Sequence, residues 1–352
     1  MKRVLFIATS KNTKGGITSV ISSYRQCKIW EKYKIRWLET HIDRNSYIKL
    51  LYVICSLILY CVIVWFYDIV HIHVGDIKSM RRKSVFFQIA SWINKKTIIH
   101  LHIGDQIYKM ADSKTCKNVI QQADAIIVLS NDMRQKVRDI FSISKDKIFV
   151  IPNPCVTVQN VNYSIASKTI LFAGRLDYNK AYQILIKAFA LIASKHHDWK
   201  IVFAGNGEIA KAIRLATENR ISGQVEFKGW ITGEEKDRIF RESAFLCLPS
   251  YAEGFSMTVL EAWAYCLPVV CTPVGGLKEI VKDGDNALVF EPGNVAELAL
   301  KLDLMITNPD IRQNIAEKSH ELSQSLFNLQ RICERIDNLY TNISLHDSFF
   351  IE

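Results

Sequence analysis

Short apolar runs alternate along the chain with longer stretches of helical spacing. The runs fall at 4–8, 69–73, 97–102, 125–129 and 148–151, then at 169–173, 200–204, 225–227, 244–248, 269–271 and 287–290. They are unbroken rather than alternating, which is the pattern of strands buried on both faces, and most stop at Gly or Pro. Strands of that kind separated by helices predict two doubly wound parallel sheets in an α/β protein. After Ile151-Pro152-Asn153-Pro154 little periodicity follows, so the linker is expected in the polar stretch 159–168. The expected units are 1–160 and 161–321, followed by 322–352, where Leu326, Leu329, Ile332, Ile336 and Tyr340 fall at helical spacing.

One run is longer than a strand needs. Residues 50–67 are eighteen uncharged residues, at the lower limit for a helix that crosses a membrane. The run leads directly into Asp68-Ile69-Val70-His71-Ile72-His73, which reads as a buried parallel strand, so a buried or membrane-surface helix is expected instead of a span. Lys49, Arg81, Arg82, Lys83, Lys95 and Lys96 would give that region cationic neighbours suited to an anionic lipid surface.

A length of 352 residues suits two domains, and a net charge of +10 changes the picture only through its distribution. Residues 1–160 hold 25 Lys and Arg against 11 Asp and Glu, a net of +14, and the remaining 20 against 24 give −4. Nucleic acid is not expected as the partner of the basic half, since no recognition-helix, zinc-finger or RNA-binding aromatic motif is present. The nine cysteines are scattered without a Cys-x-x-Cys pair and read as reduced core residues, not as a disulfide frame. The apolar run behind Met1-Lys2-Arg3 is too short for a signal peptide and reads as a first strand.

The richest chemistry lies at 253–261, Glu-Gly-Phe-Ser-Met-Thr-Val-Leu-Glu, behind the apolar run Phe245-Leu246-Cys247-Leu248 and Pro249. The order is strand, loop, helix. A helix starting near Ser256 turns its free N–H groups and positive dipole end into the loop, where a phosphate can sit. Glu253 then stands in the loop and Glu261 about one and a half turns into the helix. One carboxylate meets hydroxyls on each side of a diphosphate, which is the layout of a sugar nucleotide.

This segment resembles the signature of the family-4 retaining glycosyltransferases, enzymes with the two-domain GT-B architecture. The likeness continues through Ala262-Trp263-Ala264-Tyr265-Cys266-Leu267-Pro268-Val269-Val270 and Pro273-Val274-Gly275-Gly276. Further elements stand in the family's order: Gly15-Gly16 after the first strand, Phe172-Ala173-Gly174-Arg175-Leu176-Asp177-Tyr178-Asn179-Lys180, Val202-Phe203-Ala204-Gly205-Asn206-Gly207-Glu208, and Val225-Glu226-Phe227-Lys228-Gly229.

The resemblance implies a role for each. Arg175 and Lys180 would bind the leaving diphosphate, the first as a fork and the second as a mobile point charge. The family usually has Gly after this Lys, whereas Ala181 follows here, a modest change that fits a helix start. Glu253 would contact the donor sugar and support positive charge at its anomeric carbon, without acting as a nucleophile. Glu261 would hold the ribose, and backbone N–H groups of Phe255, Ser256 and Met257 the phosphate. Gly205, Asn206 and Gly229 would let base and ribose approach, and Gly15 and Gly16 would face donor phosphate and acceptor. His102 would approach the donor sugar, although Ile103 separates it from Gly104 where the family has Gly directly. His71, His73 and His100 read as core or supporting groups. No third spaced ligand marks a metal site, so neither a metal nor another cofactor is expected.

The expected protein is thus a metal-independent retaining hexosyltransferase, cytoplasmic and peripheral on the inner face of the cell membrane. It would move a sugar from a nucleotide-diphosphate donor to a lipid-linked or oligosaccharide acceptor in surface polysaccharide biosynthesis, of the O-antigen, capsule or exopolysaccharide kind. A sugar-nucleotide epimerase of the same architecture and a catalytically silent scaffold subunit are the alternatives.

Overall fold

The computed structural model describes residues 2–42, 44–161 and 163–345. The end of the expected C-terminal segment, 346–352, lies outside them. The chain divides into two compact units, one of 1–154 together with the chain from Leu329 onward, the other of 155–328.

In the first unit six parallel strands stand in the order β2-β1-β3-β4-β5-β6. They are β1 (Val4–Ala8), β2 (Arg36–Glu39), β3 (Ile69–Val74), β4 (Lys96–Leu101), β5 (Ala125–Val128) and β6 (Ile148–Val150). The apolar runs predict all of them except β2. Its four residues, Arg-Trp-Leu-Glu, are too few and too charged to stand out, and pairing with β1 is what makes them a strand. The helices are α1 (Gly16–Tyr24), α2 (Lys28–Lys32), α3 (Ser46–Ile63), α4 (Ile77–Trp92), α5 (Ile107–Ala111), α6 (Lys114–Gln122) and α7 (Asn131–Phe141). Right-handed crossovers place α3, α4, α6 and α7 on one face of the sheet and α1 and α2 on the other.

The second unit repeats the plan in the order β12-β11-β10-β7-β8-β9, again all parallel. Its strands are β7 (Thr169–Ala173), β8 (Lys200–Ala204), β9 (Val225–Gly229), β10 (Phe245–Leu248), β11 (Val269–Cys271) and β12 (Leu288–Val289). Its helices are α8 (Tyr182–Ala190), α9 (Ile209–Glu218), α10 (Gly233–Arg241), α11 (Met257–Ala264), α12 (Val295–Thr307) and α13 (Pro309–Gln324). The last helix, α14 (Leu329–Leu345), belongs to the first unit, where it packs on α1 and α2.

Three expectations change. The boundary falls at Pro154, ahead of the stretch 159–168, because the chain is tied into the second unit at once: Cys155 donates its N–H to Phe327 O at 2.8 Å and its thiol to Leu260 O at 3.3 Å. Tyr163 donates to Ala244 O at 2.8 Å and Arg312 to Ile165 O at 3.1 Å, so the polar stretch is fastened surface rather than linker. The cysteines are not all reduced. Cys27, before α2, and Cys333, in α14, form a disulfide with 6.6 Å between their Cα atoms, across a sequence separation of 306 that no local spacing reveals. Finally, the 50–67 helix starts earlier, at Ser46, where the Asn45 side chain accepts from Ile48 N at 3.0 Å. It is not buried: Tyr60, Ile63 and Val64 enter the core, while Leu50, Leu51, Ile58 and Val62 each stand more than 60% exposed.

Candidate functional site

The loops that leave the C-terminal ends of neighbouring strands meet, which is where open parallel sheets place ligands. In the second unit β11, β10, β7 and β8 are consecutive neighbours. Tyr251 donates its N–H to Asn179 O at 2.7 Å, zipping the loop after β10 to the loop after β7, and the rings of Tyr178 and Tyr251 stack 5.1 Å apart. Leu176 N–H donates to Asn206 O at 2.8 Å, fastening the loop after β8 on the other side, and Gly276 N–H donates to Gly254 O at 2.8 Å from the loop after β11.

Glycine is required where these loops touch. Gly275 has φ +58, and a Cβ on it would stand 2.0 Å from Glu253 O; a Cβ on Gly205 would stand 1.7 Å from Gly174 O. Gly229 sits near Asn206, whose side-chain oxygen would be 3.5 Å from an added Cβ.

This framework brings Lys180 and Glu253 together, 73 residues apart in sequence, with Nζ 2.5 Å from Oε1. Glu253 Oε1 also accepts from Ser250 Oγ at 2.7 Å. Both side chains are mostly buried, so the pair is a charge-assisted bond in a partly water-excluded pocket. Asp177 Oδ1 accepts from Lys180 N at 3.0 Å and shapes the turn that carries the lysine. Arg175 stands apart, its side chain 76% exposed and its nearest carboxylate Asp177 at 3.6 Å. Ala181 was expected as an ordinary helix start; it takes φ +49, the left-handed conformation glycine prefers, at the N-cap of α8.

Ser256 is the N-cap of α11, and its buried hydroxyl makes no hydrogen bond. An unpartnered hydroxyl beside free helix N–H groups is the donor set a phosphate oxygen accepts from. Phe255 is buried; a Cβ on Gly276 would stand 2.2 Å from its ring, and Met257 is nearly buried as the helix begins. Glu261, 8% exposed, faces inward and is held by Lys236 Nζ of α10 at 2.8 Å. Nothing in the local sequence reveals Lys236 or Ser250 as members of the site, because only the packing of α10 and the turn after β10 delivers them.

In the first unit β1, β3 and β4 are neighbours, and their C-terminal ends carry Gly15-Gly16, Gly75 and His102. Gly15 is the N-cap of α1, with open space over it. His102 Nε2 lies 3.0 Å from His73 Nδ1, and His71 Nε2 lies 3.2 Å from His100 Nδ1, with Tyr340 OH 2.6 Å from His71 Nδ1. The four imidazoles form a stack, neighbouring centroids 4.1–5.3 Å apart. Burial, and then the charge of His102, holds His71 down at about 3. Burial followed by the Lys83 ammonium does the same for His102, to about 3, opposed by the Asn153 side chain as an acceptor for the protonated ring. All four are therefore neutral near pH 7, and Lys83, pushed down to about 7 by burial, donates to His73 O. Asn153 is a further residue the sequence did not single out. Ile103 turns into the core, which accounts for its place between His102 and Gly104.

The expectation that no third metal ligand exists fails geometrically: ring nitrogens of His71, His73 and His100 lie within 4.8 Å of one another. Pairing of β3 with β4 creates that trio, which spacing along the chain could not show.

Comparisons with known proteins converge on one family. Residues 162–322 match the profile described as "Glycosyl transferases group 1", and residues 56–158 match "Glycosyltransferase Family 4". An uncharacterized glycosyltransferase of Haemophilus influenzae is 29% identical over 224 residues, which are 62% of this chain and 60% of that protein. The N-acetyl-alpha-D-glucosaminyl L-malate synthase of Bacillus anthracis is 21% identical over 295 residues, 80% of this chain and 76% of that one. The crystal structure of Anabaena HepE in complex with UDP-glucose superimposes with a TM-score of 0.78 at 17% identity, over 97% of this chain and all of HepE, a likeness of fold. Two six-stranded parallel sheets and these neighbours make the architecture GT-B.

Proposed function

Since the chain belongs to the group 1, family 4 glycosyltransferases, whose profiles match it at 56–158 and 162–322, we propose that it is a retaining, metal-independent hexosyltransferase that uses a nucleotide-diphosphate sugar. The observation that carries this reading is the Lys180–Glu253 pair at 2.5 Å, in the loop that leads to the unpartnered Ser256 hydroxyl. In the reaction the bond between the anomeric carbon and the diphosphate oxygen breaks. A bond from an acceptor hydroxyl oxygen forms on the same face, and the acceptor's proton passes to the departing diphosphate. Charge builds on the diphosphate, where Lys180, Arg175 and the start of α11 are placed to meet it. Glu253, held by the Lys180 ammonium and the Ser250 hydroxyl, extends its interactions to the sugar's hydroxyls and developing positive charge. Glu261 takes the ribose hydroxyls. Neutral His102, in the first unit, can offer a hydrogen bond but not a proton, which fits a reaction that needs no separate acid. A set of cationic groups already supplies what a metal would supply to the diphosphate.

The acceptor is a lipid-linked saccharide of a surface polysaccharide, and the enzyme works in the cytoplasm at the inner face of the membrane. The basic first half and the exposed apolar helix support this part. HepE's complex with UDP-glucose makes UDP the first nucleotide to try.

Calorimetry with UDP, GDP, ADP and their common sugars, in EDTA, tests the donor reading. Tight binding of one nucleotide by the wild type, weakened in Lys180→Ala, is expected. Binding of none, or binding that appears only with a divalent cation, sinks it; conversion of a sugar nucleotide to its epimer without an acceptor would favour the epimerase.

A further inference from the structure

Among the described residues, nothing in its own unit covers the outward face of α3. Of α3 and the turn after it, Tyr47, Ile48, Leu50, Leu51, Ile54, Ile58, Leu59, Val62, Trp65 and Phe66 are each at least 40% exposed. Trp92, at the end of α4, is 74% exposed. Scattered exposed apolar side chains are ordinary, but so many on consecutive turns of one helix form a contiguous apolar face of the kind that marks an interaction surface.

The inward face is anchored. Ser56 Oγ donates to Glu39 O at 2.6 Å, Tyr52 OH to Glu39 Oε2 at 3.0 Å, and Tyr60 OH to Phe86 O at 2.8 Å. The helix also joins β2 to β3, and both strands pair in parallel with β1. A helix crossing the bilayer would put these two neighbours of one strand on opposite sides of it, which destroys the sheet. Although its 20 residues, Tyr47–Phe66, are long and apolar enough to span, only a surface orientation keeps the unit folded.

Charge selects the occupant. From 77 to 96, through α4 to the start of β4, the chain carries six Lys and Arg, of which Lys83 is buried against His73 O, and no Asp or Glu, and from 47 to 66 it carries Lys49 and no acid. Trp65 and Phe66 precede β3 and Trp92 precedes β4, whose first residues Ile69 and Lys96 are register partners, so the aromatic end of the patch lies beside Lys95 and Lys96. Lys95 Nζ donates to Trp65 O at 3.2 Å. Although Lys96 is also held by Asp124 at 3.6 Å, exposed aromatic side chains beside an excess of cations are the chemistry of an anionic headgroup layer.

We propose that this chain docks on an anionic lipid bilayer through the outward face of α3, lying flat in the interface, with Trp65, Phe66 and Trp92 at one end of the footprint. The proposal deepens the lipid-linked acceptor reading and rests on that reading only for why docking is useful; the face itself is independent of it.

Flotation of the full chain with vesicles of phosphatidylcholine alone, and with added phosphatidylglycerol, tests it. Wild type should float with the anionic vesicles and detach in part at high salt, and the double variant Leu51→Glu/Ile58→Glu should lose vesicle affinity by roughly tenfold or more. Both positions are exposed, so the variant should keep the wild-type melting temperature and nucleotide affinity. Wild-type flotation by the double variant overturns the proposal. So does resistance of the protein in cell membranes to carbonate extraction, which means a span, or a lipid-free dimer that the double variant disrupts while wild type ignores vesicles, which means a second copy covers the face. A wild type that floats but binds no nucleotide leaves docking intact and removes the donor reading.

Discussion

Lys180 and Glu253 act as a unit because each partly neutralises the other in a pocket that excludes most water. Lys180→Ala removes the charge proposed to meet the leaving diphosphate, and by analogy with other lost transition-state donors it should lower kcat roughly 10²-fold. Single-turnover kinetics at saturating donor check this; a loss confined to KM would show that the lysine only binds. One position along from Lys180, the left-handed Ala181 makes an opposite kind of prediction. Ala→Gly in regular backbone costs about 0.5–1 kcal/mol, whereas relief of φ +49 returns about 1–2 kcal/mol. Ala181→Gly should therefore leave the melting temperature unchanged or raise it by a few degrees, and a clear fall would show that the alanine methyl is packed too well to lose. Both side chains of the Lys180–Glu253 pair are legible in the sequence, since each follows a strand that ends on a recognisable loop. Their distance from one another is not legible, nor are Ser250 on Glu253 and Lys236 on Glu261.

At the scale of elements, the site exists because four loops are stitched edge to edge, and Gly275 is the stitch with least tolerance. With φ +58 and Glu253 O only 2.0 Å from an added Cβ, Gly275→Ala must move the very loop that carries Glu253. It should destabilise the fold by about 2 kcal/mol or more. Donor affinity should fall with it, by calorimetry at a temperature where the variant is still folded. On α3 the contrast is between faces. Tyr60→Phe removes a buried bond to Phe86 O and should cost about 1–2 kcal/mol in urea unfolding, while substitutions on the outward face should be close to neutral in solution. Helix and strands are readable here from apolar runs, and β2 is the exception, because a charged four-residue strand is defined by its partner.

At the scale of the molecule, the histidine stack ties stability to pH. His71 and His102 titrate near 3 in the folded protein against about 6.5 when unfolded, and His73 and His100 are also pushed far down. Below pH 6.5 the unfolded chain binds protons that the folded one refuses, so stability is full above that pH and is lost as pH falls towards 3. Each such histidine can contribute a slope of up to about 1.4 kcal/mol per pH unit in that window. The melting temperature should drop steeply between pH 6.5 and 5, and a flat profile there would mean that the stack is hydrated or already charged.

What the sequence determined by itself is what local chemistry dictates. Unbroken apolar runs demand strands buried on both faces, prolines and glycines stop them, and a carboxylate, a glycine and apolar helical spacing in that order give a loop followed by a helix start. The excess of positive charge in the first half and the apolar length of 46–63 are likewise properties of the chain. Only the tertiary structure decided what depends on strand order: that β7 lies beside β10 and so Lys180 meets Glu253, and that β3 lies beside β4 and so four histidines stack. Strand order also carries α14 back to Cys27 and leaves one face of α3 bare. Contacts between residues tens to hundreds of positions apart are set by which faces can be buried together. That is a property of the whole fold, and no window of sequence contains it.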